Sequence, residues 1–232
     1  MSQRKYAITG AFGALGRAVA EAAAHAGARI ALIDFAPAAP PGFVEGLGSG
    51  HVALAGVDLA EAGAAKTAID KAAEALGGLD VLINVAGGFR WETHEDSTAD
   101  SWHSLFRMNV QTAANTCRAA IPYLKASPSG RIVNVGAGAA VKAAMGMGPY
   151  AASKAGVHRL TESLAEELKE ANVTVNAVMP SILDTPANRA DMPNSDFSAW
   201  VAPTDLASVI LFLASEEARA VTGALVPVSG RM

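Results

Sequence analysis

Seven short runs of apolar and β-branched residues recur between alanine-rich stretches of the chain: Lys5 to Thr9, Arg29 to Ile33, His51 to Val57, Leu79 to Val85, Arg131 to Val135, Val173 to Val178 and Ala224 to Val228. Their apolar positions are consecutive rather than alternating, which marks strands covered on both faces, as in a parallel sheet between helical layers. The stretches between them read as helices at Leu15 to Ala26, Glu61 to Leu76, Ala99 to Ala126, Tyr150 to Ala171 and Thr204 to Ala214. Strand and helix in alternation predict an α/β fold: a doubly wound, seven-stranded, mainly parallel sheet flanked by helices. The chain of 232 residues suits one domain over 1–232, without repeat or linker. The Ala/Pro/Gly stretch Ala36 to Gly50 reads as a loop or short frayed helix, because strand character resumes at His51.

Composition narrows the partners. With 51% hydrophobic and 17% charged residues the chain is not disordered, and no apolar run reaches the roughly 18 residues of a membrane span. The net charge of -4 is mixed along the sequence and offers nothing to nucleic acid or an anionic membrane, so a small molecule or a second copy is the expected partner. A lone cysteine, Cys117, cannot form an internal disulfide, and the start MSQRKYAITG lacks the apolar core of a signal peptide; the cytoplasm is the expected compartment. The histidines, at 25, 51, 94, 103 and 158, show no metal-ligand spacing, and no metal is expected. From Leu105 to Leu124 apolar residues wrap more than one helical face, which fits either deep burial or a second face against a symmetry mate.

The first strand runs into Gly10-Ala-Phe12-Gly13-Ala14-Leu15-Gly16 and a helix. In that setting Gly10 permits a tight turn, Gly13 lets backbone approach a pyrophosphate, Gly16 allows close helix packing, and the helix N-terminus supplies amide donors. Such a triplet alone also fits a plain turn or a site for another nucleotide-like ligand such as S-adenosylmethionine. Asp34 closes the second strand where a Rossmann-type fold places the acid that accepts both adenosine ribose hydroxyls, and such an acid repels a 2′-phosphate. Phe35, Ala36 and Pro37 follow it with no arginine, so NAD(H) is expected over NADP(H), the second possibility. The alternative for Asp34 is a helix cap or a solvated loop acid.

Tyr150-Ala-Ala-Ser-Lys154 opens a helix, with phenol and ammonium one turn apart on one face. A neighbouring cation stabilises phenolate and brings a tyrosine toward acid–base use near neutral pH; the plain reading is a helical surface pair.

Together these landmarks resemble the short-chain dehydrogenase/reductase family over essentially the whole length: the glycine loop, Asp58-Leu59, Asn84-Val-Ala86-Gly87, Asn109, Tyr150/Lys154 and Pro180-Ser-Ile182-Leu-Asp-Thr185. The resemblance implies that Asp58 accepts from the adenine amino group and that Asn84 to Gly87 line the adenosine ribose. It also implies that Ile182 and Thr185 hold the carboxamide, that Lys154 binds the nicotinamide ribose, and that Asn109 holds a water relaying protons to Lys154. A homodimer or homotetramer built on the helices around Leu105 to Leu124 and Val157 to Leu168 is implied as well.

Two positions depart from the mainstream family pattern. Ala14 stands where the middle glycine usually falls, and Ala137 stands where a serine usually donates to the substrate oxygen. Losing such a donor costs on the order of 100- to 1000-fold in turnover when the oxygen becomes anionic; Ser181 or Thr93 are candidate substitutes. Both departures are similar to the dihydropteridine reductase branch, as is the segment Leu183 to Trp200, which implies a quinonoid dihydropterin or similar conjugated planar substrate. The alternatives are a general carbonyl reductase or alcohol dehydrogenase, including a 3-oxoacyl reductase, and a non-catalytic NAD-binding sensor. Trp91 and Trp200 are expected at the substrate mouth, as stacking platforms or lid packing, and Met147 as pocket wall or core filler.

Overall fold

Among residues 3–232, which the computed structural model describes, all seven apolar runs form strands: β1 (Lys5–Thr9), β2 (Arg29–Ile33), β3 (Val52–Leu54), β4 (Val81–Asn84), β5 (Gly130–Val135), β6 (Val173–Pro180) and β7 (Leu225–Val228). Met1 and Ser2, where the leader reading begins, lie outside the described residues. The helices are α1 (Ala14–His25), α2 (Phe43–Gly46), α3 (Ala62–Leu76), α4 (Ala99–Phe106), α5 (Thr112–Ala126), α6 (Gly148–Leu168), α7 (Pro186–Asp191) and α8 (Pro203–Ala214).

The strands make one sheet in the order β3-β2-β1-β4-β5-β6-β7, and every neighbouring pair is parallel rather than mainly so. Successive side chains enter opposite layers. Ile8, Leu32, Ile83 and Val133 pack with Val19 of α1 and Ile210 of α8, whereas Ala7, Leu82 and Ile132 pack with Ile69 of α3, Leu124 of α5 and Leu164 of α6. All of β4 and β5 is buried, which is why their sequences read as unbroken apolar runs. Truncating one such side chain, as in Ile132→Ala, costs about 2–5 kcal/mol.

The sequence order reverses between β1 and β4, leaving a crevice at their C-terminal ends where ligands of such sheets bind. The helix expected over Ala99 to Ala126 is interrupted by a π-helical turn, Arg107–Gln111, in which the Thr112 N–H donates to the Arg107 carbonyl. Such a turn inserts one residue into the ladder and re-aims the side chains around it; it concentrates at functional sites. The edge strand β3 is shorter than its apolar run because Gly50 and Gly56, both with positive φ, bound it.

Candidate active site

The glycine loop lies at the crevice. Gly10 has φ 62°, and a Cβ there would stand 2.7 Å from the Ala86 backbone nitrogen, while a Cβ on Gly16 would overlap the Gly10 carbonyl. Only hydrogen fits at either position. Gly13 differs, since a Cβ there would meet nothing closer than the Gly10 oxygen at 3.5 Å, so its openness serves approach from outside rather than packing. No side chain caps the first turn of α1, whose N–H groups remain donors for an anion. Leu15 is buried beneath the loop. This cradle fits a dinucleotide pyrophosphate.

Asp34, just past β2, accepts from the Phe12 N–H at 2.8 Å and from the Ala36 N–H at 2.9 Å. Its carboxylate is thereby aimed beside the loop, and Phe12 contributes its amide to Asp34 while its ring packs edge-on against Phe43. Beyond Asp34, Asp58 accepts from the Ala60 N–H at 2.9 Å and pairs with Arg107 at 2.7 Å. Leu59 is buried.

Asn84 sits otherwise than the resemblance implies. Its amide is in the core, donating to Asn134 at 2.9 Å and toward the Cys117 sulfur, and accepting from Thr116 at 2.7 Å. Asn134 in turn accepts there and donates to Thr161 at 2.9 Å. This polar chain ties β4 and β5 to α5 and α6 beneath the crevice, leaving Gly87 exposed in the loop, while Ala86 is partly buried with its N–H donating to Thr9 at 3.2 Å. Burial pushes the Cys117 thiol up to about 12, so it is an inert core group.

Tyr150 and Lys154 stand on the first turns of α6, which starts with Pro149 near its N-terminus, a good helix opener. The Lys154 ammonium is buried and donates to the Val135 carbonyl at the end of β5, 2.8 Å away; burial lowers its pKa to about 8. Burial also pushes the Tyr150 phenol up to about 12, and the Phe89 ring packs edge-on against it with centroids 4.9 Å apart. Burial is the cause of that rise, and the lowering expected from the ammonium does not appear. Asn109 lies in the π turn: its Oδ1 accepts from the Gly88 N–H at 2.9 Å, and its Nδ2 donates to the Gly88 carbonyl at 3.1 Å and to Ser153 at 2.9 Å. A Cβ on Gly87 would stand 2.5 Å from Asn109 Oδ1 and 3.3 Å from the Lys154 nitrogen. Thus Lys154 and Asn109 converge on Gly87, with Tyr150 one helical turn before Lys154 and its ring against Phe89.

On the substrate side Ala137 is buried with extended backbone, and its neighbour Gly138 lies against the Pro180 carbonyl. Neither candidate substitute for the missing hydroxyl is free: Ser181 donates to the Ser229 carbonyl at 2.9 Å and Thr93 to Asp96 at 2.5 Å. Trp91 is half exposed, with its indole N–H on the Met145 carbonyl at 3.1 Å and its ring over Gly146. Met147 precedes α6, its carbonyl accepting from Ala151 at 2.7 Å. Trp200 is buried against Phe197, 4.8 Å between ring centroids, and so serves as packing within the 181–201 segment. Thr185 caps α7 by accepting from Asn188, while the Ile182 carbonyl accepts from Val201. The Thr185-Pro186 pair is a helix-start signal that the sequence reading passed over. It also passed over His158, whose Nε2 lies 3.4 Å from the Ala137 nitrogen in space that the absent Cβ of Gly136 leaves open.

Among the described residues no helix is long and apolar enough to cross a membrane, and no group of three or more His, Cys, Asp or Glu could hold a metal ion. Residues 4–196 match the short chain dehydrogenase family. The chain is 31% identical to a 3-oxoacyl-[acyl-carrier-protein] reductase of Thermotoga maritima, covering 96% of this chain and 95% of that protein. It is 30% identical to D-beta-hydroxybutyrate dehydrogenase of Rhizobium meliloti, with 96% of each covered. Among solved structures, carveol dehydrogenase from Mycobacterium avium in complex with NAD superposes with a TM-score of 0.87 at 29% identity, over 98% of this chain and 97% of that one.

Proposed function

The chain belongs to the short-chain dehydrogenase/reductase family and is an oxidoreductase, and we propose that it interconverts a small-molecule carbonyl and its alcohol with NAD(H). The observation that carries this reading is the convergence of Lys154 and Asn109 on Gly87, beside the glycine cradle and one helical turn from Tyr150. A bound nicotinamide supplies or accepts the hydride. Asp34 would orient the adenosine ribose, Gly13 and the first turn of α1 would receive the pyrophosphate, and Lys154, fixed on Val135, would hold the sugar nearer the reacting end. Tyr150, neutral far above neutral pH, donates its proton to the oxygen formed on reduction, so the resting state is an acid ready for that direction. The names of the two relatives, a 3-oxoacyl reductase and a hydroxybutyrate dehydrogenase, favour 3-oxo or 3-hydroxy acyl compounds.

A second reading rests on Ala137. With a methyl where the family serine stands, and with Ser181 and Thr93 engaged elsewhere, a substrate that takes hydride into a conjugated ring, such as a quinonoid dihydropterin, loses least. Oxidation of NADH is the test, measured with 3-oxoacyl thioesters, simple ketones and quinonoid dihydropterin side by side. Turnover on none of these would remove both substrate readings.

A further inference from the structure

The outer face of the helix that carries Asn109 reaches the loop between β3 and α3 through three side chains one turn apart. Arg107 donates to Asp58 at 2.7 Å and to Glu61 at 2.8 Å; Gln111 donates to the Ala60 carbonyl at 2.9 Å; Asn115 donates to the Leu59 carbonyl at 3.1 Å and the Ala60 carbonyl at 2.9 Å. Every donor lands within residues 58–61. The residues just before that segment, 54–57, are bound around Asp34: the Asp34 N–H donates to the Leu54 carbonyl, the Val57 N–H to the Asp34 carbonyl at 2.9 Å, and the Gly56 N–H to the Ala36 carbonyl at 2.8 Å. A dinucleotide whose ribose meets Asp34 must project its base over the end of β3, against this loop.

We propose that Arg107, Gln111 and Asn115 are positioning residues for the adenosine end of the cofactor. The inference rests on the dinucleotide reading above. The three act through the loop: two hold its carbonyls and the third turns the Asp58 carboxylate, whose other oxygen is already on the Ala60 N–H. The π turn explains how one helix serves two ends of the site. Arg107 and Gln111 bound it, and Asn109 between them points the other way, to Gly88 and to Ser153, which lies between Tyr150 and Lys154. Asn115 is buried with its donor satisfied only by the loop carbonyls, so it holds more firmly than the exposed ion pair of Arg107; Gln111 is itself exposed, and its bond to the Ala60 carbonyl is partly buried.

Ligand fragments test this. Binding of NADH, of ADP-ribose and of reduced nicotinamide mononucleotide is measured by calorimetry for the wild type and for Arg107→Met, Gln111→Met and Asn115→Leu, which keep volume and remove the donors. Gln111→Met and Asn115→Leu are expected to weaken NADH and ADP-ribose about three- to tenfold, the worth of one net hydrogen bond, while the mononucleotide changes less than about twofold. The smallest effect is expected for Arg107→Met. If Asn115→Leu fails to fold, Gln111→Met decides the matter. Equal weakening of all three ligands would mean general damage to the fold, and unchanged ADP-ribose binding would mean that the loop needs no support; either overturns the proposal. A wild type that binds none of the three ligands would instead remove the dinucleotide reading itself.

Discussion

The Lys154 ammonium donates to the Val135 carbonyl across 2.8 Å, from the second turn of α6 to the end of β5. That bond holds the cation at the crevice floor, one helical turn from Tyr150, in surroundings dry enough to bring its pKa to about 8. Tyr150→Phe removes the proton donor and Lys154→Met the cation. Each is expected to lower turnover about 100- to 10,000-fold with circular dichroism unchanged, and Lys154→Met is expected to weaken NADH as well. Wild-type turnover in Tyr150→Phe would end the acid–base assignment.

The same burial predicts a pH signature in stability. The folded-state pKa of Lys154 lies below its unfolded value of 10.5, so from about pH 8 upward the unfolded chain holds a proton that the folded one has released. Stability therefore rises with pH across that window, by about 1.4 kcal/mol per unit, and the Lys154→Met variant lacks the rise. Tyr150 acts oppositely, raised from 10.0 to about 12, and costs stability only above about pH 10. Urea denaturation of both proteins from pH 7 to about 9.5 should show the wild type gaining on the variant. A constant gap would mean the ammonium is solvated.

Within the glycine loop, packing and ligand approach separate cleanly. Gly16→Ala forces a methyl into the Gly10 carbonyl and is expected to cost about 1–3 kcal/mol, read as a lowered Tm. Gly13→Ala has room and an ordinary φ of -72°, so its Tm should stay near wild type while NADH affinity falls. Should Gly13→Ala bind NADH normally, the pyrophosphate lies elsewhere.

Local pattern carried the fold a long way, because burial on both faces writes itself into consecutive residues such as Ile132 and Val133, which serve opposite layers. The glycine loop and the Tyr150/Lys154 spacing were equally local. What escaped depends on contacts distant in sequence: His158 occupies room left by Gly136, Arg107 answers acids 46 and 49 residues away, and Asn84 turns into the core to meet Asn134. A helical period cannot reveal the π turn either, since the apolar positions on both sides of Arg107–Gln111 remain compatible with one long helix.

Cofactor choice should follow Asp34. Its carboxylate faces the loop with Phe35, exposed, as the next residue and no cation after it, so a 2′-phosphate meets negative charge. NADH is expected to bind more tightly than NADPH, and Asp34→Ser to narrow the difference. Comparable dissociation constants for the two cofactors in the wild type would refute this.

Self-association is expected from the outer helices. The apolar positions of the 105–124 stretch divide: Leu105, Ala113, Cys117, Ala120 and Leu124 are buried, whereas Met108 is exposed and Val110, Ala114 and Ile121 are only partly covered. Val110, packed over Gly156 of α6, with Ala114, Ile121 and exposed Phe106 leaves apolar area that a second copy would cover, whereas Met108 lies over Gly88 on the active-site side. Light scattering at micromolar concentration should give a dimer or tetramer mass, and a monomer would count against the surface being an interface between copies.

Ala137 separates the two substrate classes. Its Cβ is buried at the end of β5, where a serine hydroxyl would add one donor toward an oxygen that gains charge during reduction. For an ordinary carbonyl that donor lowers the barrier by up to about 3 kcal/mol when well aimed, so Ala137→Ser should raise kcat/KM on an activated ketone or 3-oxoacyl thioester. A conjugated ring that accepts hydride without building an oxyanion beside residue 137 gains nothing from it, and the extra atom crowds a buried position. Its rate should hold or fall. The ratio of the two responses is the measurement, because a general change in cofactor binding or folding moves both alike. Stimulation on the ketone alone would mark the alanine as an adaptation to the ring, and equal stimulation of both would mean that the alanine limits every substrate and says nothing about class.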